Sequence, residues 1–287
     1  MPIMTTKIFP PQAPGSRPKG ARSEREASAH VRKMFSRIAP RYDFLNHLLS
    51  LSLDRVWRRR AASKFQKVLR RTDARILDLC CGTGDLTFAM ERVRMKAWRD
   101  RGAYRIPMVG SDFAQPMLER AHEKGRKHHR AAVFVASDAL RLPFPSGCFD
   151  LVTTAFGFRN LANYENGLRE IARVLKENGQ VGILEFSEPK GGPMAGMFRF
   201  YFRYILPNIG GIISGSKDAY RYLPGSVAKF PGRAELAVMM KSVGFTDVRI
   251  SSWNFGSVLL HSARIPEQEP KSEQASDSMK KSCGSES

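Results

Sequence analysis

Residues 76–85, with the sequence ILDLCCGTGD, decide the fold class of this chain. The first five, residues 76–80, form a short apolar run that predicts a buried strand, and two glycines follow it in a tight loop. Glycines directly after a strand let a ligand approach the backbone. A dinucleotide-binding loop requires a third glycine or alanine where this chain has Thr87. The stretch therefore predicts a ligand-binding strand–turn–helix unit that departs from the dinucleotide fingerprint.

Strands and helices alternate on the C-terminal side of this unit. Apolar runs predict further strands at 108–112, 132–136, 149–155 and 181–186, and helical spacing predicts helices at 85–98, 116–127, 164–176 and 234–243. Residues 245–252 and 256–262 predict a closing hairpin. Such alternation is typical of an α/β fold, here a mostly parallel, seven-stranded sheet with helices on both faces.

The rest of the chain divides by composition into one domain and two tails. We expect a flexible basic N-terminal arm at 1–22, a single domain at 23–264 and a disordered C-terminal tail at 265–287. Within the domain, 23–70 is predicted to form a helical extension, in which Asp54 caps a helix. Residues 188–230 fit neither helix nor strand well, and we interpret them as a lid inserted over the carboxyl edge of the sheet.

An acid on the first strand sharpens the interpretation of the loop. Asp78 stands four residues before Gly82, and this arrangement resembles the first motif of class I S-adenosylmethionine (SAM) methyltransferases, which have a Rossmann-like fold. SAM carries an amino-acid end and a sulfonium cation rather than a pyrophosphate, so a nearby acid suits it. Asp112 ends the second predicted strand, where a carboxylate can accept hydrogen bonds from both ribose hydroxyls.

A third acid, Asp138, follows the third predicted strand, where such enzymes hold the adenine amino group. The resemblance thus implies that SAM binds to Asp78, Gly82, Thr83, Gly84, Asp112, Asp138 and Ala139. No cysteine–histidine spacing indicates a metal, and Cys80 and Cys81 are expected to be small packed residues of the loop.

The composition limits the compartment and the partners. The 287 residues contain four cysteines and no run of ~18 apolar residues, which excludes a disulfide-rich scaffold and a membrane-spanning helix. Residues 1–16 lack a signal-peptide core, so we expect a cytoplasmic protein. The net charge is +20, and residues 1–70 carry 16 basic and 4 acidic residues. Such a field attracts polyanions or an anionic membrane surface.

The residues after the fourth predicted strand indicate the methyl acceptor. Residues 156–160 read FGFRN, without the paired prolines that are common in enzymes acting on exocyclic amines. No Pro-Cys nucleophile of the pyrimidine C5 type occurs either. The sequence therefore disfavours a nucleic-acid acceptor, although the charge alone would favour one.

Several motifs resemble the UbiE/COQ5 family of quinone-biosynthesis C-methyltransferases, over about residues 30–263. They are YDFLNHLLS at 42–50, LPFP at 142–145, FGFRN at 156–160, LEFS at 184–187 and YRYL at 220–223, with Trp57 and Phe230-Pro231. Leu45 replaces the family's usual methionine, Asp54 replaces a common histidine, and Glu177-Asn178 replaces Pro-Gly. These departures are conservative or lie in turns.

The resemblance implies methyl transfer from SAM to a ring carbon of a polyprenylated quinol. For the menaquinone members the reaction converts 2-demethylmenaquinol to menaquinol. The alternatives are a ubiquinone-precursor benzoquinol, or both rings, and more remotely an RNA acceptor.

The resemblance also implies catalytic positions. Arg159 and Asn160 are expected to orient the acceptor hydroxyl or a water, and Tyr42 and Asp43 to close over the acceptor. The alternative for Arg159 and Asn160 is a salt bridge and a turn cap. His47 and Tyr201 are weaker candidates.

A polyprenyl substrate makes membrane contact plausible. The aromatic residues of the insertion could line a channel for the lipid tail, touch the bilayer, pack the lid or form a homodimer. Arg58, Arg59 and Arg60 could dock on anionic lipid at the inner face of the plasma membrane, although a solvated helix face is the simpler interpretation.

Overall fold

Seven strands build one sheet in the part of the chain that the structure describes. They are β1 (Ile76–Leu79), β2 (Val109–Asp112), β3 (Val133–Ala136), β4 (Phe149–Ala155), β5 (Leu175–Phe186), β6 (Thr246–Trp253) and β7 (Val258–Arg264). The computed structural model describes residues 15–18, 20–98, 106–189, 191–201, 204 and 217–267. The strand order is β3-β2-β1-β4-β5-β7-β6. β1 to β5 pair in parallel, and β7 runs antiparallel to both neighbours. The predicted fold class and closing hairpin are confirmed.

Helices of the described ranges cover both faces of the sheet. They are α1 (Glu24–Ile38), α2 (Tyr42–Leu49), α3 (Leu53–Lys64), α4 (Gln66–Leu69), α5 (Asp85–Trp98), α6 (Gln115–Lys127), α7 (Tyr164–Val174), α8 (Gly192–Phe200), α9 (Lys217–Lys229) and α10 (Arg233–Ser242). None of them combines the length and the apolar character that crossing a bilayer would need.

The alternation of side chains along β1 places its apolar residues in two separate cores. Leu77 belongs to the core packed under α7 and α10, whereas Ile76 belongs to the core packed under α3 and α5. On the neighbouring β4, Val152 and Leu151 divide in the same way. Burial on both faces explains why these strands read as continuous apolar runs.

The N-terminal helices form a cap over the carboxyl edge of the sheet. Ser23 caps α1 by accepting a hydrogen bond from the Glu26 amide at 3.1 Å. The cap does not form one continuous helix, because Leu51 and Ser52 adopt positive φ angles of 50° and 60° between α2 and α3. The expectation that Asp54 caps a helix is wrong, because it lies in the first turn of α3 and accepts a hydrogen bond from the Ser50 hydroxyl.

The segments expected to be an arm, a lid and a tail are described only in part. Ser16, inside the expected arm, is buried: its amide donates to Leu161 O at 2.7 Å, and its hydroxyl shares a hydrogen bond of 2.6 Å with the Tyr222 hydroxyl. This docking differs from a flexible arm. The parts of these segments that lie outside the described residues are 1–14, 19, 190, 202–203, 205–216 and 268–287. The last range contains most of the predicted tail, with Cys283.

The predicted insertion contributes α8 and α9. Residues of α1, α2 and α6 form a small apolar cluster beneath the cap. Phe198 and Tyr201, at the end of α8, pack against this cluster. β5 begins at Leu175, earlier than the predicted strand at 181–186, and the predicted helix at 164–176 ends correspondingly at Val174.

Candidate active site

The glycine loop after β1 needs its glycines for different reasons. Gly82 and Gly84 both have positive φ angles, 55° and 82°. A Cβ added to Gly84 would come within 2.9 Å of Phe88 and 3.1 Å of Phe134, whereas one at Gly82 would meet only Tyr42, at 3.8 Å. Gly84 therefore lets the start of α5 pack tightly, and Gly82 leaves open space above the loop.

Asp78 ties the first strand to the helix that follows. It is fully buried, and its carboxylate accepts hydrogen bonds from the Thr87 hydroxyl at 2.6 Å and the Thr153 hydroxyl at 3.4 Å. Burial raises its pKa to about 7, although these hydrogen bonds favour the charged form. Thr87, the residue that breaks the dinucleotide fingerprint, thus holds the acid in place.

Asp112 is fixed by backbone groups at the end of β2. Its Oδ2 accepts from the Gly82 amide and its Oδ1 from the Ala114 amide, both at 2.9 Å. Burial raises the pKa of this carboxyl. A carboxylate can accept about four hydrogen bonds, more than these backbone amides donate, so Asp112 can also accept from the hydroxyls of a ribose.

These groups line a cleft with about 890 Å³ of empty space. Six of the seven predicted SAM residues border it, namely Asp78, Gly82, Thr83, Asp112, Asp138 and Ala139. Asp138 accepts a hydrogen bond from the Leu140 amide at 2.9 Å, so its loop is ordered at the end of β3. Three acids and an open glycine loop along one cleft fit SAM, which supplies a methyl group carried on a sulfonium.

A second, larger cavity adjoins the first. It holds about 1370 Å³ of empty space and is lined mainly by apolar and aromatic side chains. Trp57, Phe156 and Phe186 form its inner wall, with the Phe156 and Phe186 ring centroids 4.6 Å apart. Tyr201, a weaker candidate, lines it from α8, and its hydroxyl donates to Leu49 O.

Three residues border both cavities: Tyr42, Arg58 and Phe156. Burial raises the pKa of Tyr42, and the guanidinium of Arg58 lies 5.4 Å from the Phe156 ring centroid. Arg58 is only 6% exposed and donates to Asp54, so a solvated face is the wrong interpretation for it. The two arginines that follow it are exposed.

Arg159 lies in the wall of the second cavity, in a short turn after β4. Its guanidinium donates to Glu185 at 2.7 Å and to Phe156 O at 2.6 Å. Burial works against its charge, but Glu185 outweighs burial and raises the pKa of Arg159. The buried Nε has no hydrogen-bond partner among the described residues. The structure thus contains the salt bridge that was the alternative for this arginine, and it also leaves one donor unused.

Asn160 borders the SAM cleft rather than the second cavity. Its side-chain oxygen accepts a hydrogen bond from the Tyr222 hydroxyl at 3.1 Å. Tyr222 belongs to α9 and also contacts Ser16. Asn160 is therefore held between the lid and the N-terminal segment.

Asp43 lines neither cavity. The Thr83 hydroxyl donates to it, and so does Lys124 Nζ, at 3.0 Å. Lys124 also donates to Asp85 at 2.6 Å and to Thr83 at 3.1 Å. In contrast to the predicted closure over the acceptor, Asp43 holds the cap against the glycine loop.

His47, Asp54 and Asp85 bring three ligand-type atoms within 4.8 Å of one another. His47 Nδ1 bonds Asp54 at 2.9 Å, and Arg58 lies 3.8 Å from Asp85. Burial disfavours the charged form of Asp54, but Arg58, Ser50 and His47 together lower its pKa. The guanidinium of Arg58 therefore already occupies the place of a cation, because it pairs with the carboxylates that a metal ion would need as ligands. His47 borders neither cavity.

The fold and the cleft define a SAM-dependent methyltransferase. Among solved structures, the chain is similar to the [4+2]-cyclase SpnF, with a TM-score of 0.55 and 17% identity over 84% of this chain and 97% of that one. It is also similar to a SAM-dependent methyltransferase from Thermotoga maritima, with a TM-score of 0.54 and 15% identity over 81% and 98% of the two chains. At these identities the likeness shows the fold.

The chain belongs to the ubiE/COQ5 methyltransferase family, whose model matches residues 22–264. It is 47% identical over 228 residues to a demethylmenaquinone methyltransferase of Thermus thermophilus, covering 79% of this chain and 98% of the relative. A relative of the same name from Deinococcus radiodurans is 46% identical over 79% and 88% of the chains. The ubiquinone/menaquinone biosynthesis C-methyltransferase UbiE of Geobacter sulfurreducens is 39% identical over 82% and 88%. The predicted family, SAM dependence and enzyme class are confirmed.

Sequence reasoning missed the contacts that four residues make in the site. Glu185 lies within the LEFS motif, but nothing in its spacing pairs it with Arg159, 26 residues earlier. Lys124 and Tyr222 contact the site from helices distant in sequence. For Arg58 a signal was present, since Asp54 stands four residues before it on the same helix face.

Proposed function

We propose that this enzyme methylates a ring carbon of 2-demethylmenaquinol and so forms menaquinol. The observation that carries the proposal is the wall shared by a polar cleft suited to SAM and an apolar, aromatic cavity. Family membership assigns the enzyme to quinone biosynthesis, and two relatives at 46% and 47% identity bear the name demethylmenaquinone methyltransferase.

The second cavity suits a flat ring with an apolar tail. Trp57 lies 6.0 Å from Phe156 and 5.9 Å from Phe186 between ring centroids, so three aromatic rings form one wall. Aromatic side chains favour offset or edge contacts with another ring. Leu49, Leu53, Met197 and Phe198 add apolar lining, which suits a prenyl chain.

The reaction needs the acceptor ring to become nucleophilic. Loss of a quinol hydroxyl proton moves electron density to the adjacent ring carbon. That carbon forms the new bond to the methyl group as the sulfur–methyl bond breaks and its electron pair stays on sulfur. The same carbon then loses its proton, which restores the aromatic ring. The protein must hold both partners in line and stabilise the oxyanion.

We propose that Arg159 stabilises this oxyanion. A guanidinium stays protonated at neutral pH, so it is a donor and not the base. The proposal is supported by its bonds to Glu185 and Phe156 O, which fix its orientation, and by its buried Nε, which has no hydrogen-bond partner among the described residues. Tyr42, which borders both cavities, is proposed to contact the acceptor ring. Asn160 and Asp43 are proposed to position the two sides of the SAM cleft.

A benzoquinol acceptor is the second candidate. The relative from Geobacter sulfurreducens, at 39% identity, has both ubiquinone and menaquinone in its name. Both rings present a hydroxyl next to the methylated carbon, so the groups around Arg159 would serve either.

A labelled-methyl transfer assay tests the proposal. Purified protein would receive SAM with a labelled methyl group and chemically reduced demethylmenaquinone in detergent, with a benzoquinol lacking the C-methyl group in parallel. We expect label in the naphthoquinol. Label in the benzoquinol alone would reject the menaquinone assignment, and no label in either ring despite SAM binding would reject both.

Such an acceptor dissolves in the bilayer, and we further propose that the enzyme associates peripherally with an anionic membrane. The charge of +20 supports this association. The predicted homodimer stays a prediction.

A further inference from the structure

Exposed apolar side chains surround the mouth of the second cavity. Leu51, Met197 and Phe255 all line the cavity, yet they are 82%, 58% and 76% exposed. They come from three separate parts of the chain: the turn after α2, helix α8 and the turn between β6 and β7. Because these side chains line the cavity and are also exposed at the surface, they form the rim of its mouth.

Helix α2 extends this rim over its outer face. Phe44 and Leu48 are 61% and 42% exposed and stand four residues apart within α2, so they share one face of this helix. The opposite face, with Tyr42 and Leu49, lines the cavity. We call Phe44, Leu48, Leu51, Met197 and Phe255 the mouth patch.

The backbone holds two members of the mouth patch outward in a strained conformation. Leu51 and Phe255 have φ angles of 50° and 58°, a region that large side chains rarely adopt. The turn that carries Phe255 is anchored, because Trp57 Nε1 donates to Asn254 Oδ1 at 2.7 Å and the Ser257 hydroxyl donates to Asn254 O at 2.9 Å. A strained backbone that specific hydrogen bonds hold in place indicates a functional role for the exposed side chains.

The surroundings of the mouth patch are basic. Residues 27–70 contain eleven Lys and Arg and two Asp. Both acids are engaged in ion pairs, Asp43 with Lys124 and Asp54 with Arg58. Arg55 and Arg59 remain exposed on α3, directly after the turn that carries Leu51. Apolar tips next to uncompensated positive charge complement a surface of anionic headgroups over acyl chains.

We propose that the mouth patch inserts into an anionic phospholipid bilayer, so that the second cavity opens towards the acyl chains and not towards water. The inference rests on the proposed function, because a polyprenylated acceptor would then enter the cavity from the bilayer without crossing the aqueous phase.

The experiment uses the double substitution Phe44→Ser and Leu48→Ser in the full chain. Neither residue lines a cavity or belongs to an apolar core, so the fold and the active site are preserved. The matched control is Val238→Ser on α10, which is 65% exposed. Flotation with phosphatidylcholine vesicles, with and without phosphatidylglycerol, measures binding. The rate with a short-chain, water-soluble demethylnaphthoquinol is measured in parallel.

We expect the wild-type protein and Val238→Ser to bind the vesicles containing phosphatidylglycerol, and the double variant to bind them about tenfold more weakly or worse, given the apolar area removed. The rate with the soluble quinol should be equal in all three. Equal vesicle binding by the double variant, or no binding by the wild-type protein, would overturn the proposal. So would a change of oligomeric state by light scattering without vesicle binding, because the patch would then join two copies of this chain.

Failure of the proposed function would look different. If the wild-type protein methylates no quinol in solution but still needs Phe44 and Leu48 to bind vesicles, the docking surface stands and the acceptor assignment falls.

Discussion

The SAM cleft and the acceptor cavity share a wall but are built in opposite ways. The three acids of the cleft lie at the carboxyl ends of β1, β2 and β3, and they are fixed by hydrogen bonds from neighbouring backbone amides and hydroxyls. The acceptor cavity is assembled from α2, α3, α8 and the β6–β7 turn, which meet only in the folded chain. The comparison shows that cofactor recognition resides in local loop geometry and acceptor recognition in tertiary packing.

The largest effect that separates the two regions is expected for Arg159→Ala. Turnover should fall by roughly 100-fold or more because a donor to the developing oxyanion is removed. SAM affinity should stay near the wild-type value, since Arg159 lines the other cavity. Single-turnover kinetics and calorimetric SAM titration provide the two readouts.

Two further variants control this substitution. Arg159→Lys retains a positive charge beside the buried Glu185, so it tests whether the loss of turnover in Arg159→Ala reflects misfolding. Arg59→Ala removes an exposed arginine and serves as the matched control. Normal turnover by Arg159→Ala would refute its role.

In the SAM cleft, Asp112→Asn is expected to have a smaller effect, a loss of SAM affinity. Hydrogen bonds to a charged group contribute ~1.5–3 kcal/mol, so SAM should bind roughly 10–100-fold more weakly. The rate at saturating SAM should change little. Asp73→Asn, at an exposed acid, is the control, and unchanged SAM affinity of Asp112→Asn would remove the ribose assignment.

Gly84→Ala should destabilise the cleft without touching the acceptor cavity. The positive φ angle of 82° and the approach to Phe88 predict a loss of about 1–3 kcal/mol in the free energy of unfolding. Gly196→Ala is the matched control, because a Cβ there has no neighbour within 4 Å among the described residues and its φ is not positive. Equal melting temperatures for the two variants would contradict the tight packing at Gly84.

The smallest effect concerns the pH dependence of stability. Burial raises the pKa of Asp78 to about 7, above its ordinary value of 3.8, so the folded state holds this proton more tightly than the unfolded state. The contribution of Asp78 to stability is therefore complete below pH 3.8 and is lost as the pH rises towards 7. The free energy of unfolding of the wild-type protein should therefore contain a part that decreases from pH 4.5 to about 7, and Asp78→Asn should lack this pH-dependent part. Chemical unfolding at several pH values measures it. A parallel pH profile for the two proteins would show that Asp78 is ionised throughout.

The same contrast explains what could be predicted from the sequence. The sheet and the positions of Asp78, Asp112 and Asp138 follow from local periodicity and from the rule that ligands bind at the ends of parallel strands. The burial of Arg58 and the pairing of Arg159 with Glu185 depend on side chains that become neighbours only in the folded chain. The outward turn at Phe255 likewise requires its anchor on Trp57 in α3, 197 residues away from Asn254.

Photo-crosslinking with a demethylnaphthoquinone that carries a diazirine on its prenyl tail tests the division into two regions most directly. The account predicts adducts on the wall of the second cavity, at Trp57, Phe186, Met197 or Tyr201, that excess demethylmenaquinone suppresses and that excess S-adenosylhomocysteine leaves in place. Specific adducts confined to other surfaces, or suppression by S-adenosylhomocysteine alone, would contradict it.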